Sequence, residues 1–146
     1  MDDDGGSGDE AVEVVFKMAN IKTYSGSCHC GAVRFSFRSE EITTGCRCNC
    51  SFCTRKGTVM SSKYIAPDDF DLLEGKDALS VYQFGDRDVN HYFCKTCGIC
   101  PFNGVASVPA TYEGSAKPGY RRVNLGCIEG LDPLALQIDI INGRSF

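Results

Sequence analysis

Cys28-His29-Cys30 and Cys94-Lys95-Thr96-Cys97 lie far apart in a 146-residue chain, with Cys48-Asn49-Cys50-Ser51-Phe52-Cys53 between them. The outer pairs, C-x-C and C-x-x-C, together offer four thiolates, a closed tetrahedral set for zinc with Zn–S distances of about 2.3 Å. The middle group offers three thiolates and leaves a fourth position unassigned. A closed site holds a fold together, whereas an open one admits a ligand and does chemistry.

Other readings of these cysteines predict less of the pattern. Reduced cysteine packs as a small hydrophobe, but that does not explain paired spacing with Gly31 and Gly98 just after each pair. A disulfide framework suits secreted chains. Here the N-terminus is acidic and no apolar signal segment is visible, so reduced thiols in a cytoplasmic setting are expected. The two glycines let the backbone turn its N–H groups towards the sulfurs.

The middle group has two versions. A strand running through residue 50 would point Cys46, Cys48 and Cys50 to one side, so that Cys46 completes a closed four-thiolate site. With only Cys48, Cys50 and Cys53, the ion keeps a position for water or a thiol. Three thiolates leave zinc electron-rich, which suits reversible thiolate exchange better than water activation, and zinc holds a bound thiol as thiolate. His29, between two ligands, points away from the metal if that stretch is extended. His91 falls on the face opposite Cys94 and is at most a neighbour of the ligands. Cys100 and Cys127 are further thiols, with Cys127 expected to be structural.

The elements that must position these groups read as β. Apolar residues make up 42%, enough for one domain with a real core. No apolar run is long enough to span a membrane. Residues 1–21 form an acidic tail; residues 22–146 form the domain. The first thirteen residues carry six acids, and setting these aside turns the net charge from -4 to +2, too weak to argue for nucleic acid. Strands are expected over 23–29, 32–38, 42–48, 59–65, 79–84, 90–94, 122–125 and 136–141, the first two as a hairpin. Pro67-Asp68-Asp69-Phe70 reads as a helical first turn with Leu72 and Leu73 docking inward. The loop from Val105 to Gly119 is long for a compact domain and reads as a lid or substrate wall carrying Tyr112, with Tyr120 just beyond. All-β, small antiparallel sheets around metal, is the expected class.

Gly26-Ser27-Cys28-His29-Cys30-Gly31-Ala32-Val33-Arg34-Phe35, Cys48-x-Cys50-Ser51-x-Cys53, Tyr82-x-Phe84-Gly85, Tyr92-Phe93-Cys94-x-x-Cys97-Gly98 and Val123-Asn124-Leu125-Gly126-Cys127-Ile128 occur in that order. In combination they resemble the glutathione-dependent formaldehyde-activating enzyme and centromere-protein-V-like family, over about residues 22–135. The resemblance implies an Mss4-like tent of small sheets and two Zn²⁺ per chain. A structural zinc would sit on Cys28, Cys30, Cys94 and Cys97, a second zinc on Cys48, Cys50 and Cys53. Because the family motif starts at Cys48, it favours the three-ligand version. Many relatives read C-H-C-S-x-C-R, whereas this chain has Asn49 for the histidine and Thr54 for the arginine, with Arg55 and Lys56 following.

The activity implied is carbon–sulfur bond formation or cleavage on a small thiol or its adduct, with glutathione and formaldehyde as the family precedent. Arg47, Arg55 and Arg122 are candidate donors to the carboxylates of such a thiol, with Lys56 and Arg121 nearby. Two other readings compete: a non-enzymatic zinc module for a macromolecular partner, and a redox or metal-buffering protein using Cys46, Cys100 and Cys127.

Overall fold

In the computed structural model, residues 20–145 are described, and three small sheets account for most of the regular structure. The acidic tail, up to residue 19, lies outside the described residues. The first sheet is ordered β1 (Ile21–Ser27), β2 (Arg34–Glu40), then β5 (Phe70–Glu74), all antiparallel. Alternation along β2 sends Phe35 and Phe37 inward, where both are fully buried. Phe35 stacks on Phe70 at 5.6 Å and meets Phe102 edge-on at 5.4 Å. Its ring also covers Gly26, where a Cβ would come within 2.5 Å, so that strand position is closed to any side chain.

The second sheet places β3 (Thr44–Cys48) between β10 (Gln137–Ile141) and β4 (Met60–Ser61). The third runs β6 (Leu79–Tyr82), β7 (Val89–Cys94), β8 (Phe102–Val105), β9 (Arg121–Val123). Val33, Phe102, Val123, Leu125 and Ile128 close the core between the sheets. The single α-helix among the described residues, α1 (Ser51–Lys56), follows β3 directly. No helix among them is long and apolar enough to cross a membrane.

The all-β expectation holds, with specific corrections. β10 pairs with β3 in parallel, not antiparallel, its Ile141 opposite Cys48. Residues 59–65 do not form a continuous strand. Ser61 turns its hydroxyl to the Lys63 carbonyl and accepts from Val123 N–H, breaking the run after two residues, and Ile65 bridges Arg121 instead. Pro67–Asp69 is a single 3-10 turn, and the chain then extends as β5. Leu72 packs on the core, whereas Leu73, on the other face of that strand, is 59% exposed. β8 escaped the reading because Pro101 and Gly104 mask its short run.

Candidate metal centres and adjoining cleft

The first centre joins two turns from different sheets. Cys28 closes the β1–β2 connection, its N–H donating to Val33 O, and Cys94 ends β7, its N–H donating to Ile99 O. Gly31 and Gly98 take φ of 83° and 76°, a backbone that L side chains rarely adopt. These turns bring the Sγ atoms of Cys28, Cys30, Cys94 and Cys97 within 4.8 Å of one another. Cys28–Cys30 and Cys30–Cys94 stand at 3.7 and 3.6 Å. A regular tetrahedron with Zn–S near 2.3 Å has edges of about 3.8 Å, so the donor set fits zinc. Val33 N–H donates to Cys28 Sγ at 3.3 Å and Thr96 N–H to Cys94 Sγ at 3.4 Å. Burial pushes the Cys97 thiol up, but the amides of Cys30 and Ile99 and the thiols of Cys94 and Cys28 outweigh it and bring Cys97 down to about 6. His29 between the ligands is exposed.

The second centre is local. Cys48 ends β3, Cys50 caps α1, and Cys53 lies in its first turn, with the three Sγ atoms within 4.8 Å. Cys50 N–H donates to Cys48 Sγ at 3.4 Å and Cys53 N–H to Cys50 Sγ at 3.3 Å. Burial raises the Cys50 thiol, yet the Cys53 amide and the neighbouring thiols bring its pKa down overall. Burial and the hydrogen bond with Cys50 push Cys53 up to about 12, against the pull of Lys56. β3 stops at Cys48, so the alternation that would align Cys46 with Cys50 does not continue. Cys46 is buried, its thiol donating to Ser61 O at 3.5 Å, and it stands outside the cluster. The three-cysteine set fits a metal with one position left open.

The C-terminal segment seals one side of this centre. Asn49 N–H continues the parallel ladder to Ile141 O, and Asn49 Nδ2 donates to Asn142 Oδ1 at 3.0 Å. Arg144 returns both its N–H to Asn49 Oδ1 and its Nε–H to Asn49 O, at 3.1 and 2.8 Å. Between them Gly143 lies so close that a Cβ there would sit 2.2 Å from Cys48 Sγ. Nothing in the spacing of residues 137–146 announces this contact.

On its other side α1 faces the third sheet across an open cleft of about 470 Å³, lined in part by Phe52, Arg55, Lys56, His91 and Cys100. Phe52 stacks on Tyr82 and lies 4.3 Å from the His91 ring. Burial, with Lys56 adding to it, pushes the His91 imidazole down to about 4, so it is neutral at physiological pH. His91 is thus a wall of the cleft. Of the arginine candidates, Arg55 lines the cleft but donates to Ser51 O, Arg47 is exposed on β3, and Arg122 stacks over Tyr64 at 4.4 Å without lining the cleft. Arg121 lies over the rings of Phe70, Tyr92 and Phe102 as part of the core. The loop after β8 contributes nothing to the cleft, and its Tyr112 hydroxyl accepts from Ala116 N–H within the loop itself. Cys127 is half-buried, and burial pushes its thiol up to about 12.

Comparison with known proteins bears on this arrangement. The family model described as glutathione-dependent formaldehyde-activating enzyme matches residues 23–141. The chain is also similar to a crystal structure of a Rhodobacter sphaeroides protein, with 31% identity and a TM-score of 0.64, over 79% of this chain and 99% of that one.

Proposed function

Since the chain belongs to the glutathione-dependent formaldehyde-activating enzyme family, we propose that it is a zinc-dependent carbon–sulfur lyase acting on a small thiol or its one-carbon adduct. The observation that carries this reading is the three-cysteine cluster: its three sulfurs are gathered, and Cys46, the candidate fourth thiol, is engaged elsewhere. A zinc ion on Cys48, Cys50 and Cys53 would supply a Lewis-acid centre at which a thiol is held as thiolate. In the synthetic direction the thiol sulfur attacks the carbonyl carbon of formaldehyde. The carbonyl π pair moves to oxygen, which takes up the proton that the thiol gave up. Cleavage is the reverse.

The chain's own groups prepare that exchange. Backbone amides aimed at Cys48 and Cys50 disperse the sulfur charge and fix the ligand geometry. The Asn49–Arg144 bonds hold the C-terminal segment over one side of the centre. The family name supports glutathione as the thiol, and its carboxylates suit the cationic side of α1.

The test is exchange NMR of glutathione and formaldehyde with their hydroxymethyl adduct. Wild-type protein should accelerate it, and Cys53→Ser should lose roughly a hundredfold, about 2.7 kcal/mol of barrier, while retaining the fold and about one zinc. A Cys53→Ser variant with full rate moves the reactive centre elsewhere. Wild-type protein without effect on the exchange reduces the domain to a zinc-binding module.

A further inference from the structure

Two nitrogen atoms at the cleft are shielded from water and lack a hydrogen-bond partner: Lys56 Nζ and His91 Nδ1. Lys56 makes none of the ion pairs formed among the described residues. Its place follows from the helix: three residues beyond Cys53, it lies on the same side of α1 as that ligand. The ammonium stands 5.5 Å from the centroid of Phe52, and the His91 ring is held between Phe52 and Phe84. Tyr82 and His91 are directly opposed on β6 and β7, so both project from the same sheet face towards α1.

An ammonium removed from water without a counter-ion costs several kcal/mol. The Phe52 ring offsets only part of that. No carboxylate among the described residues pairs with Lys56, and the space beside it has aromatic walls. A neutral imidazole has one N–H to donate, and Nδ1 of His91 is unengaged. Lys56 also pulls down the thiols of Cys53, Cys46 and Cys100. Balancing the charge of the cysteine cluster would account for the ammonium, but it would need no cleft.

We infer that this cleft is a subsite for a small carboxylate-bearing molecule, its acid group paired with Lys56 Nζ and its apolar body against Phe52 and Tyr82. Within the lyase reading, on which this last step rests, the acid end belongs to the thiol substrate and selects acidic thiols over neutral ones. The subsite itself requires no metal.

Calorimetry with two probes that lack a thiol separates the possibilities: phenylacetate and the neutral 2-phenylethanol. Wild-type protein should bind the acid about tenfold more tightly than the alcohol, the scale of one charge-assisted pair. Lys56→Met should erase that ratio, and Lys56→Arg should restore most of it. Should Lys56→Met fail to fold, raising salt on wild-type protein reads the same term, weakening the acid and not the alcohol. Equal affinities in wild-type protein, no binding of either probe, or a ratio untouched by both Lys56→Met and salt would overturn the subsite. Loss of zinc from Lys56→Met with the probe ratio intact assigns Lys56 to the cysteine cluster and also overturns it. If phenylacetate binds as expected and the protein has no effect on thiol–formaldehyde exchange, the subsite stands and the lyase reading falls.

Discussion

The two cysteine centres use the same atoms to opposite ends. Cys28 and Cys30 meet Cys94 and Cys97 across 64 residues of chain and join the first sheet to the third. Cys48, Cys50 and Cys53 span a single turn at the end of one strand. A metal on the first set closes a long loop and restrains everything between, so its binding free energy is folding free energy. A metal on the second set closes almost nothing. Its ligands are already placed by β3 and α1, so the fold does not depend on it, and the fourth position is left to another molecule. Range along the chain, more than ligand type, distinguishes the two sets, and under the proposed function it separates a structural from a reactive centre.

The largest effect should come from breaking the long-range set. Cys97→Ser leaves a remnant of three thiolates, and apparent zinc free energies of about 10–16 kcal/mol in small structural sites exceed the stability of most domains. The variant should be insoluble or lack a cooperative thermal transition. Circular dichroism showing a wild-type melt for soluble Cys97→Ser would reverse the assignment of the two centres.

Next in size is Gly143→Ala. The added methyl carbon would lie 2.2 Å from Cys48 Sγ, far inside contact distance. Either the sulfur or the C-terminal turn must move, so metal per chain should fall from about two to about one while the melting temperature shifts by only a few degrees. Retention of both ions, measured by atomic emission, would show that the second centre tolerates displacement of Cys48. Asn49→Ala acts on the same seal more gently. It removes the side-chain bonds to Asn142 and Arg144, but keeps Asn49 N–H on Ile141 O and the Arg144 bond to Asn49 O. Second-site metal affinity should drop about ten- to a hundredfold, the usual effect of losing support around a ligand. A competition titration with a chelator measures it, and an unchanged affinity would assign the C-terminal turn no role at the metal.

The same contrast explains what could be read from sequence. Ligand spacing and the glycines after Cys30 and Cys97 are local features, so both cysteine sets and the β1–β2 hairpin were legible. What sits around the second centre was not. The parallel pairing of β10 with β3 joins residues some ninety positions apart and carries no turn signal between them. The tight fit of Gly143 on Cys48 follows from that pairing. Lys56 was legible only as a charge adjoining the candidate arginine donors; its place at an aromatic-walled cleft follows from α1 packing Phe52 against His91 and Tyr82. Cys46 shares the strand parity of Cys48, but β3 ends at residue 48, so Cys50 and Cys53 gather at Cys48 from the following turn while the Cys46 thiol donates to Ser61 O.

Cys46→Ala should therefore have the smallest effect, and it tests the openness of the second centre most directly. Cys46 is 4% exposed, and its thiol reaches Ser61 O rather than the cluster. Burial is the largest influence on that thiol and pushes it up, so it favours the neutral form that donates to a carbonyl over the thiolate that binds metal. Truncation should remove one small buried side chain at about 1–2 kcal/mol. Metal content should stay at about two per chain, with the second site still in the three-protein-ligand form. With cobalt in place of zinc, an added thiol should change the visible spectrum of wild-type protein and of Cys46→Ala alike, because in both it enters the same vacant position. A four-thiolate spectrum before any thiol is added, reduced to three by Cys46→Ala, would make Cys46 a ligand after a rearrangement of β3. The second centre would then be closed like the first, and the contrast on which the catalytic reading depends would disappear.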